Sequence, residues 1–273
     1  MSNGTDVRPR RTTIAGAVVV VAVGCLAGFV AAVPPVATAP TRTVWVAAGL
    51  AVCTVVAFGA RSVSAVRLTV FVDVVFAGFA LGAHSGLNPA VTTVVVCVAP
   101  ILVLRAVAGR WPDLRPALPW LRWGRWGVDS LGLAAVTILA GAAALIVWAN
   151  TDGPSPSEYL ADLGARLWWV AVLGVLGFSL VNPIWEEALF RGVLQTELGV
   201  VFGAWPAVAM QAVAFGLAHL HGFPSGWWGM LMAGVWGAAL GVLRLRTNGV
   251  AIPYLVHVCA NVTIGVLAVA LLG

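Results

Sequence analysis

Lysine is absent from this 273-residue chain, and charge of either sign is scarce: 15 arginines and 10 acidic residues make up 9% of it. Chains so poor in charge cannot cover a water-exposed surface, which excludes an ordinary soluble domain. There are four cysteines, Cys25, Cys53, Cys97 and Cys259, all inside apolar runs and none in a CxxC pair. That excludes a disulfide framework and a cysteine metal knuckle, and leaves them as small apolar residues. What the chain does have is apolar residues, at 61%. Runs near or above 18 residues recur along it, each long enough to cross a bilayer core of about 30 Å. They are continuous rather than alternating, which excludes a transmembrane barrel. The expected fold is all-α, a polytopic membrane protein of eight to nine transmembrane helices.

The runs give spans at about Thr13–Val33, Thr43–Ala60, Leu68–Ala83, Pro89–Val107, Leu131–Ala149 and Leu167–Ile184, then Ala204–Leu220, Trp227–Leu243 and Val250–Leu272. Asn182-Pro183 is expected to kink or end the sixth span, with a separate helix from about Ile184 to Leu198. Ala37-Thr38-Ala39 has the look of a signal-peptidase site, but the preceding apolar run is too long for a signal peptide. The organisation is therefore a polar tail (1–12), helices without an assignable motif (13–149) and a motif-bearing core (166–272). Asp73, inside the third span, reads as a helix–helix contact.

Five arginines crowd between Arg105 and Asp129, interleaved with Trp111, Trp120, Trp123 and Trp126. A net charge of +5 raises nucleic acid as a partner in a soluble protein. Here the flanking spans point to an interfacial segment, since tryptophan favours the headgroup level and arginine is drawn to anionic lipid. The partners expected are the lipid bilayer and no nucleic acid. With the N-terminus inside, the arginine-bearing loops alternate as the positive-inside rule requires, and residues 150–165, with Asp152, Glu158 and Asp162, fall outside. The localisation expected is the cell membrane, multi-pass.

Against this background Trp185-Glu186-Glu187-Ala188-Leu189-Phe190-Arg191 stands out. A charged side chain deep in hydrocarbon costs roughly 2.5–3.5 kcal/mol on insertion scales, so three together form a functional-site hypothesis. On a helix, Glu187 and Arg191 are four apart and can pair, while Glu186 points about 100° away. Glu186 is thus the freer carboxylate and a candidate general base. Two more polar clusters follow in apolar runs: His219, with His221 close by, and His257 with Asn261 four residues on. His219 is placed to share a water with Glu186. His257 and Asn261 share a face and can aim two donors at one point, as an oxyanion hole requires. Taken singly, each residue reads more readily as a buried helix–helix contact than as a catalytic group.

Together, Glu186-Glu187-Ala-Leu-Phe-Arg191, Phe215-Gly-Leu-Ala-His219 and His257-Val-Cys-Ala-Asn261 resemble the three ordered motifs of the CPBP intramembrane proteases. This group contains type II CAAX prenyl endopeptidases and bacteriocin-processing or immunity proteins. The resemblance covers about Leu167 to Leu272. It implies an endopeptidase for a membrane-associated or peptide substrate, opening to the cytoplasm. It assigns Glu186 and His219 to the activated water, His257 and Asn261 to the oxyanion, and Glu187 with Arg191 to support. The family has been described both as metalloproteases and as metal-free. No cofactor is favoured here; zinc on Glu186, His219 and His257 is the alternative, without the common HExxH helix. A peptide-binding or immunity protein is the competing reading. Gly237-Ala-Ala-Leu-Gly241 would then receive a partner helix. A proton-coupled transporter is the remaining reading, although no inverted repeat is evident.

Overall fold

A computed structural model describes residues 16–24, 40–151, 168–220, 224 and 226–272. The expectations for the N-terminal tail, residues 37–39, the acidic loop at 152–165, Cys25 and His221 lie outside these residues. All regular structure described is helical, as hydrocarbon demands, because a spanning helix satisfies its backbone internally. We number the helices α1 (residues 16–24), α2 (Pro40–Gly59), α3 (Val63–Ser85), α4 (Pro89–Ala108), α5 (Val128–Thr151), α6 (Trp168–Glu186), α7 (Gln195–Phe202), α8 (Ala204–Ala218), α9 (Gly226–Thr247) and α10 (Ala251–Leu272).

Six helices among the described residues are long and apolar enough to cross a membrane. The segments Thr43–Gly59 and Ala204–Ala218 are apolar but shorter. The expected count of eight to nine spans is therefore not reached in what is described; six is the number established by length and composition. Large side chains such as Trp45, Val55, Leu139 and Val235 face outward, a surface suited to lipid.

One expectation is corrected. Pro183 neither ends α6 nor separates it from the glutamate helix: Trp168–Phe202 is a single 35-residue helix. Pro183 lies inside it and is buried. Between α6 and α7 the helix widens into a π segment, Glu187–Leu194, where the Gln195 N–H reaches the carbonyl of Phe190, five residues back. The widening accommodates the irregular stretch without leaving the helix.

Glycine sets the closest approach. On α9, Gly237 lies against Phe215 and Ala212 of α8, and Gly241 against Gln211. A Cβ on Gly216 of α8 would sit 2.7 Å from the Met230 carbonyl. The small-residue face of α9 is thus occupied within the chain by α8.

The arginine-rich segment folds back onto one end of the bundle through two short 3₁₀ turns, Pro112–Leu114 and Leu118–Leu121. Trp120 is buried edge-on to Phe71 and donates to Glu197 at 2.9 Å. Arg67 donates to the Asp113 carbonyl and faces Glu197 at 3.7 Å. Backbone bonds join Arg125 to Thr247 and Val250 to Arg122. Gly249 packs so tightly on Gly124 that any side chain there would clash. Elsewhere Thr54 donates to Asp73 at 2.6 Å between α2 and α3, the helix contact expected for that carboxyl.

Candidate active site

The site is built where the π segment meets α8, α9 and α10. Glu187 through Leu194 are all buried, and Glu186 is buried beside them. Glu187 is the hub. Its Oε1 accepts from Arg191 Nη1 at 3.0 Å, the i,i+4 pair expected from spacing, and also lies 2.8 Å from His257 Nδ1. Arg191 is wholly buried, with its guanidinium 4.3 Å over the Phe215 ring and its Nη2 donating to the Gly237 carbonyl at 3.5 Å. Cation, ring and carboxylate together satisfy a charge that has no water to turn to.

Glu186 faces the other way. Its Oε1 accepts from Asn182 Nδ2 at 3.0 Å, and Trp185 Nε1 donates to Asn182 Oδ1 at 3.1 Å. Its Oε2 lies 3.4 Å from His257 Nε2. His257 therefore stands between two carboxylates with a ring nitrogen toward each.

His219 closes α8. Its Nδ1 is 2.9 Å from the Phe215 carbonyl. A carbonyl only accepts, so Nδ1 carries the proton and a neutral ring keeps its lone pair on Nε2. The ring also lies 4.6 Å from that of Phe215. Asn261, one turn beyond His257 on α10, is buried, and its Nδ2 has no hydrogen-bond partner among the described residues.

These groups converge. Glu186, His219, His257 and Asn261 all line one cavity of about 870 Å³, whereas Glu187 and Arg191 sit behind its wall. Glu187 pairs with Arg191, whereas Glu186 faces the cavity. The cavity wall is otherwise mostly apolar, with Phe178, Phe190 and Trp236 among its residues. Val136 of α5 and Trp228, Leu231 and Val235 of α9 line it and are also exposed, so it has an apolar mouth between those helices. It reaches Pro224, at the opposite end of α9 from Thr247 and the arginine-rich segment, and no residue of that segment lines it.

The zinc alternative fits poorly. Among the described residues no three His, Cys, Asp or Glu side chains cluster so as to hold a metal. His257 turns both ring nitrogens to carboxylates rather than to a centre shared with His219.

Sequence reasoning missed Asn182, Trp185 and the bond from Glu187 to His257. The spacing of Asn182 and Glu186, four apart, was the available signal. It also missed Glu197, 1% exposed, which ties Trp120 and Arg67 into the bundle.

No curated protein and no solved structure matches the chain. A family model does match, over residues 167–263, and it is described as type II CAAX prenyl endopeptidase Rce1-like. That stretch, about a third of the chain, holds all three motifs, and over it the chain matches the Rce1-like group of the CPBP/CAAX proteases.

Proposed function

We propose that the chain is an intramembrane endopeptidase in which Glu186 and His219 activate a water and His257 and Asn261 hold the oxyanion. The observation that carries this reading is the cavity that all four side chains line. Water placed between Glu186 and the unprotonated Nε2 of His219 gives up a proton as its oxygen attacks the scissile carbonyl carbon. The carbonyl π electrons move to oxygen. Asn261 Nδ2, buried and otherwise unpartnered, and His257 Nε2–H donate to that oxyanion. The tetrahedral centre then collapses, the C–N bond breaks, and the proton held by the Glu186–His219 pair passes to the leaving amine. Glu187 and Arg191 do not touch the substrate in this scheme. Glu187 holds His257 in the state that donates from Nε2, and Arg191 holds Glu187.

The apolar mouth between α5 and α9 supports a membrane-associated peptide as the substrate class, since it would be reached from within the bilayer. The arginine-rich end is assigned to the cytoplasm by the positive-inside rule. The face of α9 that would have received a partner helix is filled by α8, which weakens the non-catalytic binding alternative.

The test is cleavage of a membrane peptide library by membranes carrying the wild-type chain or Glu186→Gln. Glu186→Gln keeps the side-chain shape and the Asn182 contact but cannot take a proton. Cleavage products that disappear with this variant, at unchanged expression and thermal stability, are the expected result. Products that persist unchanged would remove Glu186 from the reaction.

A further inference from the structure

The arginine-rich segment is not used by the proposed reaction, and it frames a second cavity. This cavity, of about 190 Å³, lies between the start of α8, α7 and the end of α9, and its walls include Pro119, Gln195, Thr196 and Arg244. Three arginines turn into the bundle at or near this end, and they differ in their partners. Arg191 has Glu187 and Arg67 has Glu197. Arg244, 6% exposed, has among the described residues only the Pro119 carbonyl, to which Nη2 donates at 2.7 Å. Its Nε has no hydrogen-bond partner among the described residues, and no carboxylate lines the cavity. Exposed Arg122 lies within electrostatic reach and adds a second positive charge. Gln195, 4% exposed, spends its amide donor, Nε2, on the Gly241 carbonyl at 3.0 Å, and its Oε1 has no partner among the described residues.

A buried guanidinium with an unpartnered Nε, a second arginine within electrostatic reach and no acid on the cavity wall call for an anion. An unpartnered amide oxygen beside it calls for a hydroxyl donor. The surroundings give the depth: Trp111, Leu118, Trp123 and Trp126 are exposed on the same segment, the residue types of the headgroup level.

We propose that Arg244 and Gln195 form a binding site for a hydroxyl-bearing glycerol phosphate, the phosphate held by Arg244 and favoured by the nearby charge of Arg122, a hydroxyl held by Gln195. Both a phosphatidylglycerol headgroup and free glycerol phosphate carry this chemistry. The site is separate from the Glu186 cavity and does not depend on the protease reading.

The test is native mass spectrometry of the purified full chain with short-chain phosphatidylglycerol or phosphatidylcholine of identical acyl chains. A competing arm adds sn-glycerol 3-phosphate. One phosphatidylglycerol is expected to be retained in preference to phosphatidylcholine. A basic residue near an anionic lipid contributes about 1 kcal/mol, roughly five-fold in affinity. Arg122→Gln should weaken retention by about that factor, and Arg244→Lys, which keeps the charge but loses the planar fork, should weaken it as well. Arg110→Gln, on the same segment but not among the charges acting on Arg244, should leave it unchanged. Arg122 is exposed, so its variant keeps the test open if Arg244→Lys fails to fold. Glycerol 3-phosphate displacing the lipid at similar concentration keeps the site and names a soluble phosphate as its ligand. Equal retention of the two lipids, or equal loss with Arg110→Gln, overturns the proposal.

Discussion

Replacing Glu187 by glutamine should cost stability as well as activity, and the size of the loss follows from what the carboxylate touches. The variant is isosteric, so no cavity forms. What disappears is the negative charge that Arg191 Nη1 and His257 Nδ1 both meet, at 3.0 and 2.8 Å. Arg191 has 0% exposure and cannot recover by turning to water. The Phe215 ring and the Gly237 carbonyl remain, but they are present in wild type too and offset nothing. Breaking a buried pair by removing one partner costs about 3–5 kcal/mol, while removing both partners is often close to neutral. Glu187→Gln should therefore be markedly less stable than wild type, and Glu187→Gln combined with Arg191→Met should regain part of the loss. A coupling of roughly 0.5–3 kcal/mol is expected for residues in direct contact. The assay is unfolding by SDS titration in mixed micelles, followed by the fluorescence of the 13 tryptophans. Wild-type stability in Glu187→Gln, or strictly additive effects in the double variant, would falsify the view of Glu187 as the counter-charge of this cluster.

Two further outcomes are expected. Asn182→Ala should lower kcat with little change in KM. The amide donates to Glu186 Oε1 at 3.0 Å and so orients the carboxylate; an unchanged kcat would show that Asn182 serves packing alone. Reporter fusions at Gly124 and Pro156 should report opposite sides of the membrane, Gly124 cytoplasmic, and an external Gly124 would reverse the orientation.

Much of this arrangement could be read from the sequence, and the reasons differ from residue to residue. Helix spacing alone separated Glu186 from Glu187 and paired Glu187 with Arg191, because both relations are local. The convergence of Glu186, His219, His257 and Asn261 on one cavity was suggested only by the order of three motifs, since nothing in composition says which helices touch. The π segment left no trace: bonding five residues back instead of four changes no residue type. Asn182 was read with Pro183 as a break, yet the helix runs on and the asparagine becomes a partner of Glu186. Trp120 and Glu197 lie 77 residues apart, and no periodicity links a loop tryptophan to a helix carboxylate at that distance. The glycines at 237 and 241 signalled a close helix contact, but the partner proved to be the preceding helix.

His257 separates the two chemical readings of the site. As an oxyanion donor it stabilises charge that exists only in the transition state, so its loss should lower kcat by about 10²–10³ while substrate still binds. As a zinc ligand it would present a neutral nitrogen to the metal, and its loss would remove metal and activity together. The geometry favours the donor. Nδ1 is engaged by Glu187 at 2.8 Å, which fixes the ring, and among the described residues no three His, Cys, Asp or Glu side chains cluster so as to hold a metal. Elemental analysis of active, purified wild type and His257→Ala, beside single-turnover rates for both, decides between them. The expected pattern is a slowed His257→Ala with a metal content no different from wild type; stoichiometric zinc in wild type, lost from the variant together with activity, would make His257 a ligand and overturn the donor assignment.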